Sequence, residues 1–259
     1  YVQVGNLALS EEGRPVKMLR FTDPDTSDTD KRIIWVMARQ HAFESHSSWY
    51  AEGLSRWLHG ADPLARTLRR LAIVYIIPMM DVDNVYHGGA GKEQLLHDGT
   101  RADFNRSWGE NPHWAAIRAA KRILENLKKT HDIAAFIDLH NPWYHDPPHW
   151  HIRHEFGPQA TVFADLWSAE LEATGSGVQW KHWLRIVPAG TPPDAEPTLG
   201  LVSATEYAGR RLFERYEGHL CFTIETPHWH DGYGNPITVE ALYAYGEALG
   251  RALARFLGA

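Results

Sequence analysis

Ile33-Ile34-Trp35-Val36-Met37-Ala38-Arg39-Gln40-His41-Ala42-Phe43-Glu44 joins an unbroken apolar run to a polar exit. Apolar residues at consecutive rather than alternate positions suit a strand covered on both faces, and such strands belong to sheets packed between helices. The pattern returns twice, in Phe136-Ile137-Asp138-Leu139-His140 and in Phe222-Thr223-Ile224-Glu225-Thr226-Pro227. Each time a short apolar, β-branched run ends on a residue with acid, base or metal-binding chemistry. If the runs are strands, His41, Glu44, His140 and Glu225 all arrive at one edge of one sheet.

The rest of the chain fits around these strands. Asn6 to Ser10 and Pro15 to Phe21 flank the polar turn Glu11-Glu12-Gly13-Arg14, the pattern of an opening hairpin. After the polar loop Asp23 to Asp30 and the strand Ile33 to Ala38, residues Trp49, Leu54, Trp57 and Leu58 recur at helical spacing with a stop at Gly60. Asp62-Pro63 starts a second helix to about Arg70, and Leu71 to Ile77 is the next strand. Asp81 to Arg101, rich in Gly, His and Asp, reads as a long loop of the kind that is usually functional. Pro112 to about Lys129 carries Trp114, Ile117, Ala120, Ile123, Leu124 and Leu127 on one face, an amphipathic helix. Gly175 to Leu201 shows little periodicity, Thr205 to Tyr216 is expected as a helix, and Thr238 to Leu257 closes the chain as a helix with Leu242, Tyr245, Leu249, Leu253 and Leu257 buried. Strands alternating with helices imply an α/β fold, a central mixed, twisted sheet flanked by helices on both faces, in one domain over residues 1–259.

Composition bounds the function. The 259 residues, 44% hydrophobic and 22% charged, are those of an ordinary globular protein with a substantial core. A formal charge of -6 provides no global positive field, so nucleic acid is not an expected partner. The longest apolar stretch, Leu71 to Met80, contains Pro78 and falls well short of the roughly 20 residues that span a bilayer. Cys221 is the single cysteine, which rules out an intrachain disulfide. The sequence begins at Tyr1 without Met and without a signal-like segment, so a leader or domain upstream is expected; the compartment, cytoplasmic or exported with a leader removed, stays open, as does the oligomeric state.

The four polar residues at the strand ends fit metal chemistry. A catalytic zinc takes three protein ligands and keeps one open position, and His, His and Glu are among the sets that supply this. That composition points to metal-assisted hydrolysis. Alone, His41-x-x-Glu44 is weak in a chain with 16 histidines, where a hydrogen-bonded strand-end His is the ordinary explanation.

Context adds a resemblance. Glu12-Gly13-Arg14-Pro15, Arg39-Gln40-His41-Ala42-Phe43-Glu44 with Ser48-Trp49 after it, Ile77-Pro78-Met79, Asp103-Phe104-Asn105-Arg106-Ser107-Trp108, Asp138-Leu139-His140 and Thr223-Ile224-Glu225-Thr226-Pro227 resemble, in order, the landmarks of the zinc carboxypeptidases of the carboxypeptidase A type, in particular their cytosolic carboxypeptidase-like branch. The resemblance implies that His41, Glu44 and His140 hold one zinc ion and that Glu225 is the general base. It implies further that Asn105 and Arg106 grip the terminal carboxylate of a peptide substrate, a task to which the planar fork of Arg is suited. Asp138, two residues before His140 on the same strand face, is either a structural residue or a hydrogen-bond partner behind the metal-binding imidazole.

The chain also departs from that pattern. Asp81-Val82-Asp83-Asn84 stands where relatives carry an Asn-Pro-Asp-Gly-like turn, and Gly91 stands where they place an oxyanion-stabilising Arg. Lys92 is the expected substitute, with Arg101 behind it. Tyr207 lies where relatives hold a phenol that assists the leaving group. His145, His149, His151, His228 and His230 suggest a second metal only weakly against their reading as cleft-lining polar residues. Gly88-Gly89-Ala90-Gly91-Lys92 lacks the phosphate-loop pattern, and there is no Gly-x-Ser-x-Gly elbow. Three readings follow: hydrolysis of a C-terminal peptide or isopeptide bond by zinc-activated water; amide deacylation of an acyl-amino acid in the manner of aspartoacylase or succinylglutamate desuccinylase, or cleavage of a peptidoglycan fragment; and a catalytically silent zinc module that binds peptide C-termini.

Overall fold

A computed structural model describes residues 1–95, 99, 101–141, 149–151, 157–175, 220–226, 228–230 and 234–258. The expected helix Thr205 to Tyr216, Tyr207 and nearly all of Gly175 to Leu201 lie outside these residues. Strands β1 (Val2–Leu9) and β2 (Pro15–Phe21) form the opening hairpin, turned at Gly13, whose φ of 79° is one that L side chains rarely adopt. β2 pairs antiparallel with β4 (Ala72–Ile77); β4 then runs parallel to β3 (Arg32–Ala38), β3 to β7 (Ile133–His140), and β7 to β9 (Leu220–Glu225). β8 (His149–His151) adds an antiparallel edge, giving one mixed sheet in the order β1-β2-β4-β3-β7-β9-β8. Every residue of β4 and β7, and all of β3 but Arg32, is buried, as the continuous apolar runs require of strands covered on both faces.

Helices α1 (Ser45–His59) and α2 (Pro63–Leu71) carry the chain from β3 to β4. Asp62 accepts from the amides of Leu64 and Ala65 and Pro63 takes the first helical position, so the start read from Asp62-Pro63 holds. Gly60 ends α1, its amide bonding to the carbonyls of Arg56 and Trp57. The return from β4 to β7 passes through α4 (Ala115–Lys128) and crosses β3 in the opposite sense. Right-handed crossovers therefore put α4 on the other face of the sheet from α1 and α2. The last helix, α6 (Val239–Phe256), packs beside α1, and α5 (Gly157–Ala173) packs on α6, which is capped by Thr238 accepting from Ala241. α1 and α6 meet at glycines: a Cβ on Gly53 would lie 2.3 Å from the Tyr243 carbonyl oxygen, and one on Gly246 would lie 2.1 Å from that of Tyr50. Tyr50, Leu54, Tyr245 and Leu249 fill the resulting seam.

Asp81 to Arg101 is more structured than a loop. It holds the short helix α3 (Val82–Tyr86) and the ribbon strand β5 (Glu93–Leu95), which pairs with β6 (Arg101–Asp103). These elements depend on side chains more than on propensity: Asp81 caps α3 through the Asn84 amide, and Asp83 ties it to the hairpin turn. The sequence stripe of α5, Phe163, Trp167 and Leu171 at steps of four, is buried against the core. Among the described residues no helix is long and apolar enough to cross a membrane.

Candidate metal centre

Topology selects the place. The connection leaving β3 runs toward β4 and the one leaving β7 runs toward β9, so the chain diverges between two neighbouring parallel strands and opens a crevice at their carboxyl ends. His41 and Glu44 follow β3 directly, and His140 is the last residue of β7. Their ligand atoms lie within 4.8 Å of one another, and all three side chains are buried. Among the described residues no other group of three or more His, Cys, Asp or Glu converges in this way.

Both imidazoles turn the same nitrogen inward. Nδ1 of His41 and Nδ1 of His140 each stand 2.6 Å from one oxygen of the Glu44 carboxylate. Their outer nitrogens are held from behind: Nε2 of His41 donates to Asp103 at 3.0 Å, and Nε2 of His140 to Asp138 at 2.8 Å. This donor set fits zinc. Two imidazole nitrogens and a carboxylate face one point, and each ring is fixed in orientation by an acid on its far side, the arrangement that keeps metal-binding histidines in one tautomer. The electrostatics agree. Burial alone would raise the Glu44 carboxyl, but the flanking imidazoles pull it far below the usual carboxylate range. Burial likewise disfavours charge on His41 and His140, yet the acids around them outweigh it and raise both. The acids around the two imidazoles thus favour positive charge at this point, the field in which a bound cation would sit.

Glu225 ends β9 in register with His140, Cα opposite Cα across a parallel pair. Both residues are last in their strands, so the acid sits one strand spacing from the ligand side of the crevice. Behind it Asn141 accepts from the Ser47 amide and donates to the Thr226 carbonyl and to the Tyr50 hydroxyl, whose pKa burial pushes up.

Asn105 and Arg106 lie on a single 3-10 turn after β6, capped by Asp103. The Asn105 side chain is directed at the back of the centre, with Nδ2 3.2 Å from His140 Nε2, and the Arg106 charge helps hold Asp103 ionised once burial is overcome. Lys92, half-buried, directly precedes β5, and Arg101 is exposed at the start of β6. His228 stacks on Phe43 with ring centres 5.9 Å apart, and His230 is exposed. Asp103 and Gln40 escape notice in the sequence. Asp103 lies 62 positions from its imidazole, and only its place directly before the Phe104-Asn105-Arg106 turn offers a sequence signal.

The comparisons with known proteins converge on the same class. Residues 1–141, more than half of the sequence, match the zinc carboxypeptidase family. The chain belongs to that family. It is 29% identical over 250 residues to cytosolic carboxypeptidase 6 of Caenorhabditis elegans, an alignment covering 90% of this chain and 50% of the relative. With cytosolic carboxypeptidase 6 of Mus musculus it shares 28% over 141 residues, 52% of this chain and 25% of the relative. The chain therefore spans about half the length of the first relative or less. Among solved structures, a metallo-carboxypeptidase from Burkholderia cenocepacia superposes with a TM-score of 0.75 at 22% identity, covering 98% of this chain and 64% of that one. Carboxypeptidase A from Helicoverpa armigera gives 0.71 at 16%, covering 98% and 69%. At these identities the superpositions establish the fold.

Proposed function

We propose that residues 1–259 form one catalytic unit, a zinc metallocarboxypeptidase that hydrolyses the C-terminal peptide or isopeptide bond of a peptide. One observation carries the reading: two imidazoles and a carboxylate from two segments of the chain converge within 4.8 Å, and the acid of the next strand registers opposite one of those imidazoles. His41, Glu44 and His140 would hold a single zinc ion, which supplies Lewis acidity toward a carbonyl and lowers the pKa of a water toward about 7.

Glu225 takes the water proton and later delivers it to the leaving amine, a role that needs a carboxylate within reach of the scissile bond but outside the ligand set. Arg106, with Asn105 beside it on the turn, grips the substrate's terminal carboxylate and so selects the last bond. Lys92 faces the developing oxyanion, and Tyr207 assists the leaving group. The soluble peptide or acyl-amino acid is the partner this chemistry needs.

The test is a release assay. Zinc-loaded protein is incubated with a mixed peptide library and with a panel of acyl-amino acids, and products are identified by mass spectrometry. Release of single C-terminal residues is expected. Release only from the acyl-amino acids would move the protein to the deacylase reading, and tight peptide binding without product would make it a silent binding module. Glu225→Gln should keep its zinc and lose about 10²- to 10⁴-fold in turnover; retained turnover would remove Glu225 from the mechanism.

A further inference from the structure

Gln40 is fully buried at the exit of β3. The preceding residue, Arg39, has a φ of 55°, so the chain turns sharply between the strand and the ligand His41. Gln40 then lies beneath the metal centre. Ordering its long side chain costs conformational entropy, and desolvating its amide is costly unless it is fully hydrogen-bonded. A Met would fill the same volume without the second cost. The amide is therefore expected to do something packing alone does not.

Its orientation is decided by Trp108. An indole nitrogen only donates, so the oxygen of Gln40, 2.8 Å from Trp108 Nε1, must face the indole, and the Gln40 nitrogen must face the other way. There it meets both oxygens of Asp138 at 2.8 Å and Oδ1 of Asn105 at 3.1 Å, with His140 Nε2 at 3.5 Å. Its two hydrogens divide between the acid behind His140 and the side chain of Asn105. Asn105 inherits its orientation in turn, since its oxygen is committed to Gln40. One amide thus reads Asn105 on the turn after β6, Trp108 just beyond that turn, and Asp138 on the strand that ends in His140.

We propose that Gln40 is a positioning residue that fixes the Asn105-Arg106 turn relative to the strand bearing His140, and so sets the separation between the carboxylate-gripping groups and the metal. The inference rests on the carboxypeptidase reading above. It gives Gln40 a role in choosing substrates by their free C-terminus, although Gln40 itself touches neither substrate nor ion.

The experiment uses zinc-loaded Glu225→Gln protein, which binds peptides without consuming them, with and without Gln40→Met. A peptide with a free C-terminal carboxylate and the same peptide amidated at its C-terminus are titrated by calorimetry, and zinc retention is followed by chelator competition. The preference for carboxylate over amide should fall about tenfold in Gln40→Met, equivalent to about 1.4 kcal/mol. Affinity for the amidated peptide should hold. Trp108→Phe, which removes only the donor that orients Gln40, should shift the preference in the same direction and serves if Gln40→Met does not fold. An unchanged preference in either folded variant, or equal weakening of both peptides, would overturn the proposal while leaving the carboxypeptidase reading intact. If the parent binds carboxylate and amide alike, that reading falls and this inference with it.

Discussion

Two clusters in this molecule are built from the same materials, acids beside histidines and arginines, and they behave differently. At the exits of β3 and β7, Glu44 stands fully buried between His41 and His140, each imidazole backed by a second acid. On the opening hairpin, Glu12 pairs with Arg14 at 2.5 Å and with His87 at 2.9 Å, Arg14 also reaches Asp83 at 2.7 Å and lies over the Tyr86 ring, and the Glu12 side chain is 43% exposed. Contact distances are alike in the two places. Solvent is what differs. In the buried cluster the charges are poorly screened and each group's protonation depends on its neighbours; at the surface, water and salt weaken the same pairs until they contribute little. Short ion pairs therefore do not mark a functional centre, and convergence plus burial does.

That contrast breaks most visibly at His140. His140→Ala should abolish zinc binding, so that elemental analysis finds protein without metal where the parent holds it, because two remaining ligands no longer make a closed side to the site. Zinc content unchanged from the parent would refute His140 as a ligand and with it the meaning given to the buried cluster.

Asp81 lies between the two regimes and sharpens the comparison. It caps α3 at the base of the hairpin contact, but burial raises its pKa from the usual 3.8 to about 6. A carboxyl raised on folding binds its proton more tightly in the native state. Its stabilising effect is therefore complete below the unfolded value, declines as pH rises between the two values, and is lost above about 6. Asp81→Asn keeps an acceptor for the Asn84 amide and cannot ionise. Urea unfolding at equal zinc occupancy should find the variant about 1–3 kcal/mol more stable than the parent near pH 8, with the gain gone near pH 4. A gain of the same size at both pH values would show that ionisation is not its source.

The smallest effect is expected on the hairpin. Glu12→Gln should leave zinc content and peptide turnover unchanged and alter thermal stability only marginally, with even that difference vanishing in high salt. A large loss of turnover would mean that the hairpin, through Asp83 and α3, controls the segment carrying Lys92.

Sequence alone carried the strands of the sheet except the edge strand β8, and with them the four strand-end residues, because unbroken apolar runs such as Ile33 to Ala38 force burial and their polar exits can only emerge at the sheet edge. It was less informative between Asp81 and Arg101. There α3 and the β5–β6 ribbon are too short for periodicity to register, and side-chain bonds from Asp81 and Asp83 to distant partners settle their form. The same cause hid Asp103 and Gln40: their importance comes from which imidazole or indole folding places opposite them, and neighbouring letters do not encode it. α5 is a different case. No helix was expected there, although Phe163, Trp167 and Leu171 recur at steps of four, because the Gly, Pro, His and Trp of the preceding sequence mask where a helix begins.

Both inner imidazoles reach forward through Nδ1, and each outer nitrogen is already spoken for by an acid. Neither ring then has a site left with which to exchange hydrogen ions with the medium. With both histidines held in this way, the proposed mechanism leaves the water proton to Glu225, and the acidic limb of the pH profile of turnover is expected to follow a carboxyl rather than an imidazole.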